Sequence, residues 1–162
     1  MKHSDYCTHI KNEEDRDILT RPNFDVNMRL FYSNPQYRHI VSSCCDLIRL
    51  CTLTEKEGYK APHGWSGANA GIPFNIIGVK YEDACRILIN PNIYSTDGKR
   101  IKVKTNCGSV ILKEPTEMVR WEYIWVRYFN EFGESFDWGK IGPNPGFTIQ
   151  HEIQHTQGIL II

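Results

Sequence analysis

The chain has 162 residues and a 41% hydrophobic content, enough for one domain with a usable core. Lys and Arg number 19, as do Asp and Glu, so charge gives no reason to expect a nucleic-acid or membrane partner. No apolar run approaches the ~20 residues of a membrane span, and the polar start MKHSDYCTHIKNEEDRD has no signal-peptide core. A cytoplasmic protein is expected.

Residues 1–16 read as a polar leader. His3, Cys7 and His9 within it are not expected to hold a metal, because a loose terminus does not preorganise ligands. Ile40, Val41, Cys44, Leu47, Ile48 and Cys51 recur at helical spacing and predict an amphipathic helix from Tyr37 to about Thr54. Cys44, Cys45 and Cys51 then become small core residues. With no export signal, the cysteines are expected as free thiols.

The stretch EKEGYKAPHGWSGANAGIP, residues 55–73, is rich in Gly and Pro and is expected to be irregular. Short β-type runs follow at 75–80 and 86–91, where Pro91 is expected to end pairing. Another is expected at 97–105, opened by the turn dipeptide Asp97-Gly98. Residues 118–130 alternate Val119, Trp121, Tyr123, Trp125 and Arg127 against Arg120, Glu122, Ile124 and Val126. The aromatic residues there are expected to pack on the sheet rather than stack on bases. NEFGES is a hairpin signal, WGKIGPNPG reads as a loop, and Phe147 to Gln157 as a helix capped by Gly158. The pattern is α+β, with antiparallel strands packed around that helix.

The helix carries His-Glu-x-x-His: His151, Glu152 and His155. One turn apart on one face, the two imidazoles can hold a metal, and the adjacent carboxylate can take a proton from the attacking water. A surface helix with two histidines is the plainer reading. Phe147, Ile149 and Ile153 argue against it, because an apolar stripe marks the helix as central in the fold, and in a central helix the histidines are expected to be inward. Cys107 ends a β-type run and is followed by Gly108.

Three stretches resemble, in order, the motifs of peptide deformylases. Gln150, His151, Glu152, His155 and Gly158 match Q-H-E-x-x-H with its following Gly. Thr105-Asn106-Cys107-Gly108-Ser109 matches E-G-C-L-S in part. Residues 64–73, GWSGANAGIP, overlay G-L-A-A-P-Q-V-G-I-P without gaps and put Asn69 where the family has Gln. DILTRPN, ILINPNI and VRYFNEFGE also look like family segments, so residues 17–162 are expected to form a single metallohydrolase domain. The chain stops at Ile162, where many bacterial members continue with a C-terminal helix and short forms, including some from bacteriophages, end.

The resemblance implies Cys107 as third ligand beside His151 and His155, around one divalent ion, Fe2+ with Zn2+ or Ni2+ as substitutes. It implies hydrolysis of the formyl group from N-formylmethionyl peptides, with Glu152 as general base. The Asn69 amide and the Gly108 N–H would hold the oxyanion. The peptide would add as a strand beside Gly64, Trp65, Ser66 and Gly67, with Trp65 shaping the cleft and His63 as an alternative base. A monomer acting on nascent chains at the ribosome is expected. Asn69, Trp65 and Gly108 depart from the family pattern. They motivate two alternatives: an amidase or peptidase for another N-acyl or peptide substrate, or a metal-binding relative without turnover.

Overall fold

A computed structural model describes residues 21–54, 63–105 and 116–159. The leader with His3, Cys7 and His9, and the segment holding Cys107 and Gly108, lie outside them. Helices α1 (Met28–Ser33) and α2 (Pro35–Leu53) come first, followed by strand β1 (Gly64–Ser66) and a 3-10 turn (Ala68–Ala70). Strands β2 (Ile76–Tyr81), β3 (Ala84–Thr105), β4 (Thr116–Phe129) and β5 (Ser135–Ile141) precede helix α3 (Pro143–Thr156). The strands form one sheet in the order β1-β2-β3-β4-β5, each pair antiparallel. The α+β expectation therefore holds. Among the described residues no helix is long and apolar enough to cross a membrane.

Helix α2 starts where Asn34 accepts from the N–H groups of Gln36 and Tyr37 at 3.0 and 3.1 Å, with Pro35 in the first turn. It buries Val41, Cys45, Ile48, Cys51 and Thr52, while Ile40 is exposed. Cys44, Cys45 and Cys85 are free thiols. Burial pushes the Cys45 thiol up to about 12, the state of an inert core residue.

Helices α2 and α3 cover opposite faces of the sheet. Trp65, Ile76, Ile87 and Ile89 pack with α2, whereas Ile77, Val79, Leu88, Ile124 and Val126 pack with Ile149 and Ile153 of α3. On the α2 face Gly78, paired with Trp65, lets the helix come close: a Cβ there would lie 2.5 Å from the Thr52 Oγ1. Segment 21–27 is clasped by Asn90, which accepts from the Val26 N–H at 2.7 Å and donates to its carbonyl at 2.9 Å.

Three expectations are corrected. Pro91 and Asp97-Gly98 do not divide the region: β3 runs unbroken from Ala84 to Thr105. Its register shifts between Ile89 and Asn92 and between Asp97 and Arg100 absorb the missing donor of Pro91 and the left-handed Gly98 (φ +78) as bulges. The stretch 138–146 is a loop only in its second part: Trp138–Ile141 finish β5, and the chain then kinks at Asn144 (φ -120, ψ 109) before α3 runs on regularly. The Gly-rich segment also contains β1 and the 3-10 turn.

Candidate active site

Helix α3 puts His151, Glu152 and His155 against the sheet, at 8%, 5% and 1% exposure. The one-turn spacing puts the two histidines side by side, and they lie on the side of the helix opposite Ile149 and Ile153; both sides are covered because the helix is buried nearly all round. Gly158 (φ +79) then ends the helix, its N–H bonded to the His155 carbonyl at 3.0 Å. Gln150 sets how the helix is rotated on the sheet. Its Oε1 accepts from the Trp121 N–H at 2.8 Å, and its Nε2 donates to the Trp121 carbonyl at 2.9 Å.

The His151 and His155 Nε2 atoms meet at 3.0 Å with the rings nearly perpendicular. Burial lowers His151 to about 3, helped by the charges of His155 and Arg120. It lowers His155 to about 4, again helped by Arg120. Both rings are therefore neutral near pH 7, the state a metal requires. Two imidazoles on a tetrahedral ion would stand about 3.3 Å apart, so the pair fits a metal with a slight opening. Among the described residues no group of three His, Cys, Asp or Glu side chains gathers to complete a set. Cys107, the third donor implied by the sequence, lies outside them.

Glu152 Oε1 stands 3.9 Å from His151 Nε2, and with His151 neutral the two do not form an ion pair. Burial raises the Glu152 carboxyl to about 8, with the Arg120 charge pulling the other way. Its Oε2 has no partner among the described residues. Gly64 of β1 lies directly against this side chain: a Cβ there would meet the Glu152 Cγ at 3.0 Å and the Thr148 Cγ2 at 2.5 Å.

The remaining sequence candidates separate along β1. Its pairing with β2 is continued by Lys80 N–H to the His63 carbonyl at 2.7 Å and Gly67 N–H to the Ile76 carbonyl at 2.8 Å. By antiparallel alternation, Trp65 faces its backbone groups to β2, whereas Gly64 and Ser66 face theirs to the opposite edge. The Gly67 carbonyl also accepts from Ala70 and Ile72 N–H, so its backbone is engaged inside the turn. The Trp65 side chain does not shape a cleft; it is buried in the α2-side core. Asn69, in the 3-10 turn, is buried and accepts the Ser66 hydroxyl on its Oδ1. His63 is exposed.

Sequence reasoning missed two residues. Gln150 was only a letter of the motif. Arg120, 3% exposed, has an Nη2 without a partner among the described residues and acts electrostatically on Glu152 and both histidines. Its parity with Ile124 and Val126 was the available signal.

Residues 53–162 match the family model for polypeptide deformylase. The chain belongs to that family. It is a hydrolase that removes the formyl group from formylated peptides, in a family that works with a divalent metal ion. The deformylase is similar in fold to several solved structures. One is a class I type b peptide deformylase from Acinetobacter baumannii, 20% identical over 96% of this chain and 95% of that one, TM-score 0.73. Another is the enzyme of the Vibrio parahaemolyticus bacteriophage VP16T, solved with actinonin, 16% identical over 99% and 100%, TM-score 0.72. A probable peptide deformylase from synechococcus phage S-SSM7 is 20% identical over 95% of each chain, TM-score 0.64. No curated protein matches the sequence.

Proposed function

We propose that residues 17–162 form one metallohydrolase domain that takes formyl groups from N-formylmethionyl nascent chains. The observation that carries the site assignment is the convergence of two buried, neutral imidazole Nε2 atoms at 3.0 Å beside a buried carboxyl group. His151 and His155, with Cys107, would hold the divalent ion, for which the thiolate favours Fe2+, with Zn2+ or Ni2+ as substitutes. When bound, that ion supplies Lewis-acid polarisation of the formyl carbonyl and acidifies water.

Glu152 is not a ligand in this reading. It takes the proton of the attacking water and delivers it to the leaving amine nitrogen. Burial alone would hold its carboxyl neutral near pH 7, and an adjacent cation favours the ionised base the reaction needs. The Asn69 carboxamide and the Gly108 N–H donate to the oxygen that becomes negative. The peptide pairs with the outward backbone of Gly64 and Ser66 as an added strand. This is supported by the alternation along β1, which also turns Trp65 into the core and leaves it no side-chain role toward substrate. The protein works as a monomer in the cytoplasm, near the ribosome.

The test compares formyl-Met-Ala-Ser with acetyl-Met-Ala-Ser and unblocked Met-Ala-Ser, using anaerobically purified protein of known metal content. Release of formate from the first alone is expected. Turnover of only the acetylated or the unblocked peptide would replace this reading with the amidase or peptidase alternative. Metal-loaded protein without turnover would leave a binding protein.

A further inference from the structure

We infer that Ser66 is a positioning residue, fixing which end of the Asn69 carboxamide serves as donor; the inference rests on the deformylase reading above. Ser66 is fully buried and Asn69 is 2% exposed. The Ser66 hydroxyl donates to the Asn69 Oδ1, and the Asn69 backbone N–H approaches the same Oγ at 3.4 Å. The Oγ takes that backbone N–H on one lone pair, and among the described residues the acceptor that its own proton meets is the Asn69 carboxamide. That proton needs an acceptor, so it selects Oδ1 over Nδ2 and keeps the NH2 end directed away from Ser66.

The orientation matters because of where Ser66 lies. It is two residues beyond Gly64, on the same face of β1, and a Cβ on Gly64 would touch Glu152. Its register partner Ile77 packs with Ile149 and Ile153 of α3. The Ser66–Asn69 pair therefore stands on the face that carries the acid–base residue, not on the face that Trp65 gives to the core.

The pair also accounts for two departures from the family pattern at once. Where that pattern has alanine and glutamine, this chain has Ser66 and Asn69, and the two side chains touch. Asparagine is one methylene shorter than glutamine. The hydroxyl supplies the anchor by which a short carboxamide is held in a single orientation, so less rotamer freedom is lost when the transition state draws on its N–H.

A double-mutant cycle tests this. Formyl-Met-Ala-Ser turnover is measured for wild type, Ser66→Ala, Asn69→Ala and the double variant, along with metal content and melting temperature. Ser66→Ala should lower kcat about tenfold or more, a fraction of the 10²–10³ typical for complete loss of one such donor, with KM and metal content little changed. On the Asn69→Ala background, Ser66→Ala should cost nothing further, because its effect passes through Asn69. Ser66→Thr, which keeps the hydroxyl, should recover most of the rate. Equal losses on both backgrounds, or kcat within twofold of wild type for Ser66→Ala, would overturn the proposal.

Ser66→Gly stands in if Ser66→Ala does not fold. A second readout is independent of turnover: the Asn69 side-chain NH2 resonances, assigned by their disappearance in Asn69→Ala, should shift and exchange faster in Ser66→Ala. Unchanged resonances overturn the inference even if wild type proves inactive. Inactive wild type with shifted resonances instead overturns the deformylase reading while leaving the Ser66–Asn69 device in place.

Discussion

Gly64→Ala separates a geometric explanation of the site from a purely chemical one. The added Cβ would stand 2.5 Å from the Thr148 Cγ2, 3.0 Å from the Glu152 Cγ and 3.1 Å from the Gly78 carbonyl oxygen, whereas ordinary contact begins at 3.4 Å. The first contact falls short by about 0.9 Å, so α3 must back away from β1 by most of an ångström. Overpacking of this kind costs about 1–3 kcal/mol of stability, and a misplacement of about 1 Å at reacting groups costs about 10²-fold in rate. The variant should remain folded and bind metal, yet lose about two orders of magnitude in kcat/KM for formyl-Met-Ala-Ser. Thr148→Ser removes the Cγ2 that makes the shortest contact and leaves the 3.0 and 3.1 Å ones. The Gly64→Ala/Thr148→Ser double variant should therefore regain much of the loss, while Thr148→Ser alone should be nearly silent. A double variant no better than Gly64→Ala would refute the steric reasoning.

Three further outcomes are expected. Glu152→Gln should keep the metal and lose about 10²–10⁴ in rate, since an amide cannot accept the water's proton; near wild-type turnover would transfer the role to another group. Cys107→Ala should lose most of its metal by elemental analysis whereas Cys7→Ala should not, and equal metal in both would remove Cys107 from the ligand set. Metal-free Glu152→Gln protein should melt at lower temperature as pH falls from about 6.5 to 4. The reason is that His151 and His155 titrate near 3 and 4 when folded and near 6.5 when unfolded. The unfolded chain binds more protons in that window, so stability rises with pH; a melting temperature flat across it would contradict neutral, buried rings. Glu152 must be absent from that experiment because its raised value gives the opposite slope.

How much of this was legible in the residues depended on whether a signal was local. The α2 stripe and the His151–His155 face were readable because their spacing is a property of the helix alone. The extent of β3 was not, because Pro91 and Gly98 punctuate a single strand as strongly as they punctuate a loop. Only pairing with β4 converts them into bulges. The end of β5 was hidden in the same way by Gly139 and Gly142, whereas Pro143 and Pro145 do mark the kink that precedes the regular part of α3. Trp65 was assigned by position beside the motif, but side-chain direction in a three-residue strand is set by which helix lies on which face. Arg120 lay on the apolar face by parity alone, and what a buried guanidinium meets there depends on α3, nearly thirty residues downstream.

The contact between Gln150 and Trp121 has a consequence for how this enzyme fails. Pairing of β5 with β4 ends at Ile124 and Ile141, and beyond that point a helix side chain takes the place of a neighbouring strand. An uncharged carboxamide holds the angular phase of α3 and keeps doing so across the pH range in which carboxylates and imidazoles change charge. His151, Glu152 and His155 sit on one helix, held by Gln150 on Trp121 and by Ile149 and Ile153 in the core, so a loss of that docking displaces all three together. Under mild denaturant the ability to retain metal and the ability to turn over substrate should vanish at one concentration rather than in sequence.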